Sequence, residues 1–319
     1  MSRIGNDIHE AVRLLKQGEL VAIPTETVYG LAADASNEEA IERIFTVKGR
    51  PKKNPLIVHL ADGMPLSDWV TELPTEAERL MTAFWPGPLT LVLQKSRNVS
   101  SMITASRDTV AIRIPAHRMT QELLKEFGGP LVAPSANPSN YISPTTAEHV
   151  SDQLGNLISY VLDGGPCEKG LESTIIAFPD GVPTLLRYGA ISKEAIEAVI
   201  GPVAAYIRSS DALAAPGMMK KHYSPRTRFL LVDDLPKALE EAQGAIGILS
   251  PKLLEVAGDK QLHQECLSVS GNAQEAAKEL YAAMHRLDAK GLDVIIAERF
   301  PDEGIGRAIN DRLERAAHA

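Results

Sequence analysis

Short apolar runs rich in β-branched residues alternate with helix-spaced stretches along almost the whole chain, and no other feature limits the fold as much. Over the first two hundred residues the strand-like runs are 20–23, 56–60, 89–93, 109–114 and 131–133. Interspersed with them, apolar positions recur three and four apart near 7–17, 37–47, 75–84, 119–127, 145–154 and 192–200. This pattern predicts an α/β domain. A second series begins near Phe229, with strands expected at 229–232, 245–249 and 294–297 and helices at 236–242, 273–289 and 307–317. It predicts a smaller three-layer α/β unit with a largely parallel sheet. Between the two series, Pro and Gly punctuation without periodicity marks a linker. The chain therefore divides into 1–203, a linker at 204–227 and 228–319, in keeping with 319 residues at about 150 per domain.

Charge and cysteine content remove several function classes. With 33 Lys and Arg against 41 Asp and Glu, the net charge is −8, and aromatic residues make up 5%. That balance argues against tight nonspecific nucleic-acid binding, which draws on positive charge and stacking platforms. Local basic patches remain able to meet RNA or nucleotide phosphates. Cys167 and Cys266 stand far apart, which excludes a disulfide framework and a thiolate zinc site and suits a reducing compartment. Asp7, His9, Glu10, Arg13 and Lys16 interrupt any apolar core near the start, and no later stretch approaches about 18 apolar residues. A cytoplasmic protein without a membrane span is expected.

The common nucleotide and hydrolase signatures are missing. There is no Walker A sequence, no His-Glu-x-x-His and no Gly-x-Ser-x-Gly. Gly304-Ile305-Gly306-Arg307 lacks the third glycine of a dinucleotide fingerprint and reads as a turn opening the last helix. Strand alternation is more informative. Over 109–114 it puts Thr109 and Arg113 opposite Val110, Ile112 and Ile114, so Arg113 lines either solvent or a cleft. His59 similarly faces away from Leu56, Val58 and Leu60, as a packed strand histidine or as a site residue. An extended chain over 24–30 would align the hydroxyls of Thr25, Thr27 and Tyr29, for a polar ligand or simply as strand formers. Lys48, Arg50, Lys52 and Lys53 crowd a loop stiffened by Pro51 and Pro55, which suits polyphosphate as well as a solvated surface. The segments 134–139 and 172–175 add hydroxyl and amide groups beside strands, as site elements or as turns and caps.

In order, Pro24-Thr25-Glu26-Thr27-Val28-Tyr29-Gly30-Leu31, Lys48-x-Arg50-Pro51 with Asn54-Pro55-Leu56, Trp85-Pro86-Gly87-Pro88-Leu89-Thr90, Pro134-Ser135-Ala136-Asn137 and Ser173-Thr174-Ile175 resemble the YrdC-like family, the threonylcarbamoyl-AMP synthases. The linker from Pro216-Gly217-Met218 to His222-Tyr223 and the second unit resemble the two-domain form, so the similarity covers nearly the whole chain. It implies a twisted, largely open α/β sheet with a basic concave cavity, followed by a Rossmann-like domain, with the linker crossing the cavity mouth. It also implies that L-threonine, bicarbonate or CO2 and ATP give threonylcarbamoyl adenylate and pyrophosphate, and that partner proteins then transfer the threonylcarbamoyl group to tRNA beside the anticodon.

By the same resemblance Thr27, His59, Arg113 and Thr174 are expected to hold L-threonine, with Arg113 on its carboxylate. Lys48, Arg50, Asn54, Thr109, Ser135, Asn137, Ser143 and Arg187 are expected to meet ATP, with His222 and Tyr223 closing over it. Lys48 and Arg50 are the expected catalytic pair, stabilising charge on the transferred and leaving phosphates. Mg²⁺ is expected with the triphosphate, although no carboxylate cluster is evident to hold it. Three departures stand out: Tyr188-Gly189 where the family has Pro-Gly, Asn140 where glycine is common, and Met219-Lys220-Lys221 in the linker. Two other readings remain at this level. An RNA-binding module with weak RNA contact would use the same basic hollow, whereas a metal-centre-maturing carbamoyltransferase would need cysteine pairs that are absent.

Overall fold

The computed structural model describes residues 3–205, 222–253 and 262–318; most of the expected linker, 206–221, lies outside these described residues. The first unit is built on one eleven-stranded mixed sheet. Its strands are β1 (Arg3–Gly5), β2 (Val21–Ile23), β3 (Gly30–Asp34), β4 (Ile57–His59), β5 (Leu89–Gln94), β6 (Thr109–Arg113), β7 (Leu131–Val132), β8 (Tyr160–Leu162), β9 (Thr174–Ala177), β10 (Thr184–Arg187) and β11 (Ala204–Ala205). They run in the order β1-β8-β2-β3-β7-β4-β6-β5-β9-β10-β11. The helices are α1 (Ile8–Lys16), α2 (Glu38–Lys48), α3 (Thr75–Phe84), the short α4 (Ser101–Thr104), α5 (Arg118–Phe127), α6 (Ala147–Leu154) and α7 (Lys193–Ile200).

Successive strand residues enter different cores, as a pleated strand requires. Leu20, Ala22, Leu31, Val58, Leu91, Ile112 and Ile176 pack with residues of α2, α3 and α6. Val21, Ile23, Ala32 and Leu131 pack with α1 and α5 instead. In the middle of the sheet the second face carries only a small cluster, Ile57, Val92, Ala111, Ile175, Ala177 and Leu186. That face is the floor of the cavity described below.

The second unit is a four-stranded, all-parallel sheet in the order β12-β15-β13-β14, from β12 (Arg228–Val232), β13 (Ile246–Ser250), β14 (Leu262–Cys266) and β15 (Val294–Glu298). α8 (Leu235–Glu241) covers one face through Leu235 and Leu239. α9 (Ala273–Asp288) and α10 (Gly306–Ala317) cover the other. Parallel strands buried on both faces by helices make the expected three-layer arrangement. The core under α9 and α10 does not stop at the unit: Val28, Ile142 and Leu171 of the first unit join Tyr223, Leu280, Tyr281 and Met284 in one buried apolar cluster.

Candidate active site

β4 and β6 are parallel neighbours in which His59 pairs directly with Arg113, the last residue of each strand. Both project onto the lightly covered face, at the carboxyl ends where open α/β sheets bind ligands. The preceding chain does not form a strand. Thr25 Oγ1 instead accepts from the amides of Thr27 and Val28 at 3.1 and 3.2 Å, folding 25–28 into a turn. This overturns the expected row of three hydroxyls: Thr25 and Thr27 face the cavity, while Tyr29 is core and donates to the Gly165 carbonyl at 2.8 Å.

The Lys48-Gly49-Arg50 segment gets its shape from the end of α2. Gly49 sits at φ +58°, its amide bonds Thr46 O and the Arg50 amide bonds Phe45 O, a Schellman closure. Lys48 and Arg50 are thereby turned inward and buried, whereas Lys52 stays outside on Glu42 at 2.7 Å and Lys53 is exposed. On the far side, the register of β10 against β9 shifts between Leu185 and Arg187, a device that re-aims a side chain, and Arg187 enters the cavity. Gly189 then passes so close to the 172–174 backbone that an added Cβ would lie 2.4 Å from the Thr174 nitrogen. Asn140 adopts φ +69°, the left-handed conformation that the replaced glycine would supply.

These elements line a single pocket that is partly open to solvent. On one side stand Thr27, His59 and Arg113; on the other, Arg50, Ser135, Arg187, His222 and Tyr223. Arg113 is clamped: Nη1 donates to Thr27 Oγ1 at 2.9 Å, Nε to Gly87 O at 3.3 Å, and Nη2 lies 2.8 Å from Glu26 Oε1 as a close charge pair without an aligned hydrogen bond. Burial, with Arg113 adding to it, pushes His59 down to about 3, so the ring is neutral. With Nδ1–H assigned as donor to Ile57 O at 3.1 Å, its other nitrogen is an acceptor. Burial and the Arg187 charge lower Arg50 to about 9, which leaves it a cation at neutral pH. Arg50 donates to Asn54 O and Pro55 O, and Arg187 to the carbonyl and hydroxyl of Ser173. His222 Nδ1 and Tyr223 OH are buried polar atoms in a pocket wall, without a hydrogen-bond partner among the described residues, and burial followed by Arg50 and Lys48 holds the imidazole far below its ordinary range.

Other expected residues lie behind the pocket wall. Lys48 Nζ donates to the carbonyls of Ser135, at 2.5 Å, and Asn137, bracing the 135–137 loop. Asn137 and Ser143 are buried, the latter donating to Glu172 at 2.6 Å, and Asn54 is buried beneath Arg50. Thr109 is half-buried at the opposite end of β6 from Arg113. The Thr174 hydroxyl donates to Ile191 O at 2.6 Å and accepts from the Ile191 amide at 3.0 Å; its neighbour Ser173 lines the pocket instead. Sequence reasoning missed Ser173 and Glu172, although both belong to the 172–175 segment that it singled out. Among the described residues, no group of three His, Cys, Asp or Glu could hold a metal ion, and the pocket carboxylate Glu172 and the neighbouring Glu26 are both paired with arginines. No described helix is long and apolar enough to cross a membrane.

Residues 13–189 match the family model of Sua5, YciO and YrdC, described as telomere recombination, and residues 191–318 match the C-terminal domain of threonylcarbamoyl-AMP synthase. The threonylcarbamoyl-AMP synthase of Pyrococcus abyssi is 41% identical over 318 residues, covering 97% of this chain and 94% of that protein. This chain belongs to the Sua5/YrdC family. A crystal structure of P. abyssi Sua5 complexed with L-threonine matches it with a TM-score of 0.90 and 38% identity, over 99% of this chain and 98% of that one. The Vibrio vulnificus threonylcarbamoyl-AMP synthase is 42% identical over 172 residues, which is 53% of this chain but 92% of that protein. The Sua5/YrdC family thus includes members little more than half as long, and the second unit distinguishes this one from them.

Proposed function

We infer that the pocket condenses L-threonine, CO2 derived from bicarbonate, and ATP into L-threonylcarbamoyl adenylate and pyrophosphate, as a nucleotidyltransferase. One observation carries this reading: a site for a small zwitterion and a wall of arginines share a single pocket, in a chain whose full-length relatives bear the name of this activity. The Arg113 fork suits the amino-acid carboxylate. The acceptor nitrogen of His59 and the Thr27 hydroxyl suit its ammonium and hydroxyl groups. The Thr174 hydroxyl supports the pocket wall through Ile191, and its neighbour Ser173 lines the pocket, where its hydroxyl accepts from Arg187.

The threonine amine, once neutral, adds to CO2, and the carbamate oxygen displaces pyrophosphate at the α-phosphorus in line. No protein nucleophile is needed, so positioning and charge stabilisation are the whole task. Arg50 and Arg187 face the phosphates, Lys48 with Asn137 fixes the loop that presents Ser135, and His222 with Tyr223 covers the nucleotide. Asn54 holds the Arg50 loop, while Thr109 and Ser143 act from outside the pocket wall. Mg²⁺ would enter as the counter-ion of the triphosphate, through phosphate oxygens and water, because the one carboxylate among the described lining residues, Glu172, is already paired. The product is a mixed anhydride that water destroys, so it passes to a threonylcarbamoyl transferase acting on tRNA in the cytoplasm. RNA contact is at most peripheral, since two of the four loop cations are buried.

Mass spectrometry of the purified protein with all three substrates tests the reading. Threonylcarbamoyl adenylate should appear, and pyrophosphate release should need threonine and bicarbonate together. Pyrophosphate release indifferent to threonine would reject it.

A further inference from the structure

Glu172 is an acidic member of a largely cationic pocket wall, and the second unit holds it from behind. Arg312 Nε of α10 donates to Oε2 at 2.9 Å, and the Tyr281 hydroxyl of α9 reaches both carboxylate oxygens at 3.0 Å. Arg312 is fully buried and shared with Asp311, and its guanidinium lies 5.2 Å from the Tyr223 ring centroid. The same helix also touches the returning linker, because Arg315 O accepts from the His222 amide at 3.3 Å.

Burial pushes the Glu172 carboxyl up, yet Arg312, then Arg187 and Ser143, outweigh it and keep the group ionised. Glu172 is thus bound by Arg312 of the second unit and shares the pocket wall with Arg187 of the first. In a low-dielectric pocket a carboxylate already matched by Arg312 leaves the field of Arg187 directed at incoming phosphates. Unmatched, it would cancel that field and repel the triphosphate. The threonine-side groups have other partners: Arg113 donates to Thr27 and Gly87 and pairs in charge with Glu26, and His59 meets the Ile57 carbonyl.

We propose that Arg312 is a positioning residue for the nucleotide: its ion pair with Glu172 prevents that carboxylate from competing with the triphosphate for Arg187, and so makes ATP affinity, but not threonine affinity, depend on the docked second unit. This rests on reading the pocket as an ATP and threonine site. Titration calorimetry of the full chain, with ATP and with L-threonine separately, tests it without requiring turnover. Arg312→Met should weaken ATP at least about tenfold and leave threonine within about twofold. The double variant Arg312→Met with Glu172→Gln should regain ATP affinity to within about threefold, because both charges have gone.

A merely structural role predicts the reverse, with both ligands weakened together and no recovery in the double variant. Unchanged ATP affinity in Arg312→Met also overturns the proposal. Should that variant fail to fold, the double variant and Arg312→Lys carry the test: ATP affinity near that of the native chain in both supports the proposal, and loss in both refutes it. A native chain that binds threonine but no ATP refutes both this inference and the synthase reading. ATP binding untouched by Arg312→Met refutes the inference alone.

Discussion

Arg113 shows what a single side chain needs before it can serve as an anchor. It is buried, its fork is held by a hydroxyl, a carbonyl and a carboxylate, and it sits at the end of a strand whose partner strand ends in His59. Lysine keeps the charge but not the fork. Arg113→Lys should therefore raise KM for threonine at least about tenfold and leave KM for ATP within about twofold, read from steady-state pyrophosphate release. His59 makes a pH prediction. Its folded value of about 3 lies below the unfolded value, so the folded chain binds fewer protons than the unfolded one between them. Stability is complete above about 6.5 and falls as the solution is acidified, by about 2 kcal/mol at pH 5 from this residue. In urea titrations at pH 7 and pH 5, His59→Gln should show a smaller fall than the native chain by that amount. Alternation made both residues legible, because a polar side chain opposite an aliphatic row has few places to go. Tyr29 and Ser173 were not legible in this way, since a turn folded on Thr25 and a strand beginning at Thr174 break the period that the reading relies on.

The longer helices were legible from sequence to within a residue or two, whereas the one-turn α4 was not. α2, for example, is capped by Asn37 at its start and closed by Gly49, and the apolar stripe of Ile41, Ile44 and Phe45 lies between them. Several strands were not. β3 reads Gly-Leu-Ala-Ala-Asp and is buried on both faces, so it has no polar alternation to reveal it. β14 reads Leu-His-Gln-Glu-Cys and is a half-buried edge whose identity comes only from pairing with β13. The β9–β10 hairpin sets the far wall of the pocket, and Thr174 is part of its frame. Thr174→Val should cost about 1–3 kcal/mol by leaving both polar groups of Ile191 without their partner. It should shift KM for threonine less than twofold, provided Ser173 keeps its place. Chemical denaturation and steady-state kinetics on one preparation check both halves of this expectation.

The two units share an apolar cluster as well as the Glu172 network, so neither can open without exposing part of the other. A single endotherm is the expected result in calorimetry, with the calorimetric enthalpy equal to the van't Hoff value. Two resolved transitions would show that the shared cluster contributes little. No sequence pattern announced this dependence. Tyr281 and Arg312 occupy ordinary positions on amphipathic helices, and only the packing of the second sheet carries them to a carboxylate more than a hundred residues earlier.

That separation gives translation an order of events. While a ribosome is still adding the stretch up to Leu280, the first sheet has all its strands, but Glu172 has neither of its distant donors and His222 has no Arg315 carbonyl to rest on. A nascent chain thus completes its first sheet well before the wall beside Glu172 is finished, and the last helix to leave the ribosome is the one that closes that corner of the pocket.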